Sequence, residues 1–190
     1  MKRILTIIIF ILTATVAVQA KSKYIKINSG TTEAFRTEMV FNVVFNDTNP
    51  IIDRKEQYAK DYYTAKSEED YAKFVADVER AQKSFITFYN ENKKDIKSSI
   101  DNNNTETPYT LKIEVTRMNV GNGGGIAIGS AKAGGAVLHG NMVLIDNSTQ
   151  TAVCEMEFSK IKGLLSPTFH GRVISVYRYL ADELIKAVKK

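Results

Sequence analysis

The chain predicts an α+β fold, a single two-layer domain with a mostly antiparallel sheet, a C-terminal hairpin and helices on one face. Three observations predict it. Across residues 109–120, Tyr109, Leu111, Ile113 and Val115 alternate with Thr110, Lys112, Glu114 and Thr116, the period of two that buries one side of a strand. Residues 138–145 and 151–158 flank the turn-forming run Asp146-Asn147-Ser148-Thr149-Gln150 and read as a hairpin. Two further stretches, 67–96 and 169–188, carry apolar residues at spacings of three and four, the stripe of a helix with one buried side. The order strand, helices, strand, strand, strand, helix places helices on one face of a sheet.

The chain opens with Lys2 and Arg3, runs apolar apart from threonines from 4 to 18, and offers Val18-Gln19-Ala20 as a cleavage site. That pattern is a secretory signal peptide over 1–20, and the apolar run is shorter than the roughly 20 residues a spanning helix requires. The domain then covers 21–190. Lys21 stands where a lipoprotein would need cysteine, so export without a lipid anchor, to the periplasm or outer envelope, is expected. The one cysteine, Cys154, rules out an internal disulfide, and a domain of this length can stabilise itself through its core.

Charge narrows the partners. The net charge of +5 includes Lys2 and Arg3; without them 24 basic residues face 21 acidic ones, leaving +3. The cations are interleaved with acids, as over 53–60, which is the pattern of a solvated face and not of a phosphate-binding stripe. Nucleic acid is not an expected partner.

Residues 21–27 suggest an edge strand. In 37–45, Met39, Phe41, Val43 and Phe45 form an apolar face, and Val40 and Val44 opposite them suggest a central strand partly covered on both sides. Residues 53–100 read as helical throughout. A short helix over 54–66 carries Tyr58, Tyr62 and Tyr63, and a longer one starts at Ser67, whose side chain can cap free amides ahead of Glu68, Glu69 and Asp70. The tyrosines are a candidate ligand-stacking set, although aromatic residues at helical spacing more often pack. Pairing Ile145 with Thr151 in the hairpin sets Leu144 opposite Ala152, Met142 opposite Cys154, Gly140 opposite Met156 and Leu138 opposite Phe158. The outer face then pairs Val143 with Val153, Asn141 with Glu155 and His139 with Glu157. In the last helix, Ser166 and Pro167 suit the cap and first position.

The glycine-rich stretch 121–135 has neither phosphate-loop nor dinucleotide spacing, and a strand follows where such a loop needs a helix. It reads as a long hairpin connection of small residues, or as a docking element in which Gly123, Gly124, Gly125, Ile126, Ile128 and Lys132 meet a partner. His139, Glu155 and Glu157 on the polar sheet face are the other candidate interaction residues, better explained by a cross-strand ion pair than by a metal. His170, near a helix start, is expected to be neutral packing. No catalytic constellation, metal site or cofactor motif is expected.

The strand Glu38-Met39-Val40-Phe41-Asn42-Val43-Val44-Phe45, the helix piece Phe85-Ile86-Thr87-Phe88-Tyr89-Asn90 and the strand Tyr109-Thr110-Leu111-Lys112-Ile113, behind a signal peptide, resemble a group of uncharacterised exported proteins of Bacteroidota. The glycine-rich lead into Val143-Leu144-Ile145-Asp146 and the terminal helix are also similar to envelope domains of unknown function, related in shape to accessory proteins of outer-membrane assemblies, some of them lipoproteins. The resemblance implies the periplasm or outer envelope and a non-enzymatic role. The glycine-rich stretch and the exposed sheet face make an interaction module the expected function, docking on an envelope protein or a second copy of itself, with membrane contact only through partners. A small-ligand or glycan-binding protein of the periplasm is the alternative.

Overall fold

The computed structural model describes residues 22–53, 55–121 and 134–189. The expected leader over 1–20 and Gly123 to Lys132 lie outside the described residues. Strands β1 (Ile25–Gly30), β2 (Val40–Asn46), β3 (Ile51–Ile52) and β4 (Gln57–Tyr58) lead into helices α1 (Ala59–Thr64) and α2 (Glu68–Asn92). Then follow β5 (Ser99–Asp101), β6 (Tyr109–Asn119), β7 (Val137–Asp146), β8 (Thr151–Lys162) and α3 (Phe169–Val188). The strands form one sheet in the order β1-β8-β7-β6-β2-β5, with β3 joined to β6 off this path and β4 joined to β3.

The fold is α+β, as expected, but the sheet is mixed and not mostly antiparallel. β2 runs parallel to both β5 and β6, and β3 runs parallel to β6. The cause is the connection: α1 and α2 intervene between β2 and the next long strand, and a helical crossover returns the chain in the same direction. The three-residue β5 lies in a stretch read as wholly helical; its Ile100 is buried, and Asn90 of α2 brackets it by donating to the Ile100 carbonyl and accepting from its N–H. The expected helix over 54–66 shrinks to 59–64, because Ile51–Ile52 and Gln57–Tyr58 pair as a small hairpin.

Alternation delivers one apolar strand face. Phe41, Val43, Leu111, Ile113, Val115, Leu138, Met142, Leu144, Met156 and Phe158 are buried in the same core as Phe74, Val78 and Phe85 of α2 and Val173, Tyr177, Leu180 and Leu184 of α3. Phe45 meets Phe85 edge-on, ring centroids 5.6 Å apart. β2 is interior to the strand order, as expected, and its other face is partly covered: Asn42 is buried while Val40 and Val44 are 37% and 43% exposed. Ser67 does cap α2, accepting from the Asp70 N–H at 3.0 Å. Tyr89 is the fully buried aromatic of its last turns.

The hairpin differs in register. Asp146, not Ile145, faces Thr151: Asp146 Oδ1 accepts the Ser148 and Thr149 N–H groups, and the turn begins one residue later on that strand. Two irregularities in the β7–β8 ladder then shift the pairing, one beside Val153 and one at Ser159 and Lys160, where Lys160 holds φ +58°. Leu144 therefore faces Cys154, Met142 faces Met156, Gly140 faces Phe158 and Leu138 faces Ile161. The inward set survives except at Ala152, which is exposed beyond the irregularity at Val153; Cys154, Met156, Phe158 and Ile161 are buried. α3 begins two residues later than expected: Thr168, not Ser166, is its cap, accepting from the Gly171 N–H at 3.0 Å. The carbonyls of Ser166 and Pro167 instead accept from Arg172 Nη1, which holds both residues outside the helix.

Candidate functional site

The two ends of the glycine-rich connection meet in a tight backbone junction. Gly121 holds φ +70°, where a side chain is strained, and a Cβ there would lie 2.3 Å from the Gly134 carbonyl oxygen. A Cβ on Gly135 would lie 2.1 Å from the Gly163 oxygen, and the Gly163 N–H donates to Ala136 at 2.9 Å. Over this junction lies Arg172, buried at the start of α3. Its Nε donates to the Val120 carbonyl at 2.9 Å while Nη1 reaches Ser166 and Pro167. Burial lowers the Arg172 pKa, but the three carbonyl oxygens take the place of lost water. One cation thus ties β6, the segment before α3 and α3 itself together. The sequence offers no signal for it, since Arg172 reads there as an ordinary polar helix residue.

Immediately after Gly163 the chain exposes two large apolar side chains in succession, Leu164 at 61% and Leu165 at 64%. Leu164 is pinned through its N–H to Ser175 Oγ at 2.6 Å. It borders a groove of about 450 Å³ that Phe88, Ile174 and Tyr179 line with apolar surface, with Arg178 and Asp182 at its polar margin. A fixed backbone carrying exposed leucines beside an apolar groove is the composition of a docking surface.

The outer sheet face holds the other expected residues in a changed arrangement. His139 does not face Glu157: its Nδ1 lies 3.1 Å from Ser159 Oγ, and the bulge at Ser159 and Lys160 is the cause. Glu157 faces Asn141 and Lys26, and Glu155 accepts from Ser29 Oγ at 2.8 Å. These three residues therefore share a face without forming one cluster, and among the described residues no group of three or more His, Cys, Asp or Glu could hold a metal. His170 has a carboxylate partner that sequence position does not show, Asp77 Oδ1 at 3.0 Å from its Nδ1. Cys154 is buried, as expected, and burial pushes its thiol up to about 11.

The tyrosines of the α1 region separate. Tyr58 is exposed. Tyr62 meets Tyr63 edge-on at 4.9 Å, and Tyr63 stacks on Phe74 at 4.7 Å, which continues to Phe169. Lys66 lies over the Tyr62 ring at 4.2 Å. Tyr62 and Tyr63 belong to an aromatic packing column between α1, α2 and α3, the role their helical spacing suggested.

Among the described residues, no helix is long and apolar enough to cross a membrane. No protein-family model matches the chain, and no curated protein matches it. Among solved structures, a point variant of the PelC dodecamer from Paraburkholderia phytofirmans is similar at 12% identity and a TM-score of 0.43, over 87% of this chain and 98% of that one. The PelC dodecamer from the same organism in another crystal form gives 12% identity and a TM-score of 0.42, over 83% and 96%. Similarity this slight is recorded as such and carries no conclusion about this chain.

Proposed function

We propose that this protein is an exported interaction module of the cell envelope, with no catalytic role, that docks on an envelope protein or a second copy of itself. The observation that carries the reading is the exposed Leu164-Leu165 pair, held at the base of the glycine-rich connection, with Leu164 bordering the apolar groove of α2 and α3. Single exposed leucines are ordinary on a protein surface; two in succession on a fixed backbone beside an apolar groove are not. In this reading α2 and α3 cover one face of the sheet and leave the other, with Val40, Val44, His139, Glu155 and Glu157, as a second contact surface. Gly123, Gly124, Gly125, Ile126, Ile128 and Lys132 are proposed to extend the first surface on the strength of their sequence. Placement among exported envelope proteins akin to those of Bacteroidota belongs to the same reading and draws on the expected leader over 1–20.

The test is crosslinking of the tagged full-length chain in its native envelope, followed by mass spectrometry, beside a variant carrying Leu164→Ser and Leu165→Ser. A discrete crosslinked protein, or a discrete self-adduct, that disappears in the double variant is the expected result. No specific adduct in the parent chain sinks the reading.

A further inference from the structure

Six large apolar side chains are exposed among the described residues; two of them, Leu164 and Tyr179, line the groove beside α3, and a third, Leu165, follows Leu164 in the chain. Phe88 of α2 and Ile174 of α3, both half-buried against the core, complete its apolar lining. Protruding side chains and a cleft able to receive such side chains therefore lie side by side. The charges are arranged in the same way. Arg178 and Asp182, about one turn apart on α3, are the charged groups of the lining, one of each sign. Arg178 Nε donates to Ser84 Oγ at 2.6 Å, and among the described residues the guanidinium forms no ion pair. Asp182 pairs with Lys186 at 2.7 Å, and Lys186 holds a second carboxylate, Glu183, at 2.8 Å. Asp182 can thus turn to another cation without leaving Lys186 unpaired.

A foreign partner requires only that its own surface complement this one. A second copy related by a two-fold axis requires more: the patch must complement itself, one residue meeting another and the second meeting the first. This patch does so twice, in shape through the leucines and the groove, and in charge through Arg178 and Asp182. We propose that the groove beside α3 is the two-fold interface of a homodimer, in which Leu164 and Leu165 of each copy cover the groove of the other and Arg178 of each meets Asp182 of the other. Such a dimer rests on the reading of the protein as an interaction module and makes a second copy of the chain the occupant of its docking surface. Burial of the leucines supplies the attraction, and the two ion pairs set the register.

The test is sedimentation velocity of the purified exported chain over a concentration series, beside Arg178→Asp, Asp182→Arg, an equal mixture of these two variants, and a chain carrying both substitutions. Circular dichroism and thermal midpoints check that each is folded. The parent should dimerise at micromolar concentration. Each single variant sets like charges opposite one another and should weaken the dimer about tenfold or more. The mixture and the doubly substituted chain both restore opposite charges at both contacts, and should return to within about threefold of the parent. Rescue in the mixture marks residues that face each other across two copies, which a purely structural role for Arg178 does not reproduce. Where a single variant does not fold, the neutral pair Arg178→Gln, Asp182→Asn replaces it, and an undiminished dimer there overturns the proposal. So does a parent that stays monomeric, a single variant that dimerises as the parent does, or a mixture as weak as its components. A monomeric chain whose crosslink to a different envelope protein is lost with Leu164→Ser and Leu165→Ser removes the homodimer and leaves the docking reading standing; a monomeric chain with no envelope adduct removes both.

Discussion

Tyr177 of α3 donates its hydroxyl to Asp47 Oδ2 at 2.5 Å, across a separation of 130 residues. Gln82 of α2 donates to the other oxygen at 2.7 Å, so one buried carboxyl at the end of β2 is held by both long helices. Burial pushes the Asp47 carboxyl up to about 6, against the lowering effect of those two hydrogen bonds, and Glu79 nearby adds to the rise.

A folded value above the unfolded one means that the native state holds the proton more tightly. The corresponding stability is fully present below about pH 4 and is lost as pH climbs through 6. Between pH 4 and 7 the parent should therefore lose about 3 kcal/mol relative to Asp47→Asn, which carries no titrating group there. Urea unfolding of both proteins across that range measures the difference, and two parallel curves would refute the assignment.

Gly140 faces Phe158, and a Cβ placed on it would lie 1.9 Å from the Glu114 carbonyl oxygen and 2.6 Å from the Phe158 ring. Gly140→Ala should destabilise by about 1 to 3 kcal/mol, since backbone of β6 cannot yield as a flexible side chain can. Leu138→Ala and Phe158→Ala should each cost about 2 to 5 kcal/mol, both residues being buried in the core. In the observed register the two no longer face each other. Their denaturation midpoints, taken with that of Gly140→Ala, check the pairing: a neutral Gly140→Ala contradicts it.

Arg172 donates to three carbonyl oxygens from two directions. Arg172→Met keeps much of the packing volume and deletes the donors, leaving part-buried carbonyls short of a partner, at a cost of about 1 to 2 kcal/mol. The loss should be local as well as global. Hydrogen exchange at the Gly121 and Gly163 N–H groups, which donate to Asn119 and Ala136, should quicken first; unchanged protection there would show that the glycine junction holds without the arginine.

Ser22 lies two residues after the expected cleavage point and donates to the buried Glu183 at 2.5 Å. Ser22→Ala should cost about 1 to 2 kcal/mol by removing one partner of a buried carboxylate. N-terminal mass analysis of the exported chain should find Lys21 first, keeping Ser22 in the mature protein. A start beyond Ser22 would place cleavage elsewhere.

The long strands, the two long helices and most inward residues of β6, β7 and β8 were legible because period and composition are local, whereas the short strands β3, β4 and β5 were not, being too brief to show a period. The parallel pairing of β2 left a trace as well, in the helices that separate it from β6, although the hairpin-rich remainder pointed toward an antiparallel sheet. The hairpin register was not legible: the turn closed by Asp146 and the bulge at Ser159 and Lys160 depend on backbone bonds whose partners the pattern of side chains does not name.

What the sequence determined by itself is therefore the alternation that builds one apolar sheet face, the stripes that build α2 and α3, and the burial of Cys154. Tertiary structure alone decided which distant groups meet: Asp47 with Tyr177 and Gln82, Ser22 with Glu183, Arg172 with the carbonyls around the glycine junction, and Leu164 with the groove beside α3. Periodicity acts over a few residues and survives in any compact packing of the chain. A hydrogen bond across tens of residues exists only once the core has fixed both partners within about 3 Å of each other, and no local pattern encodes that distance.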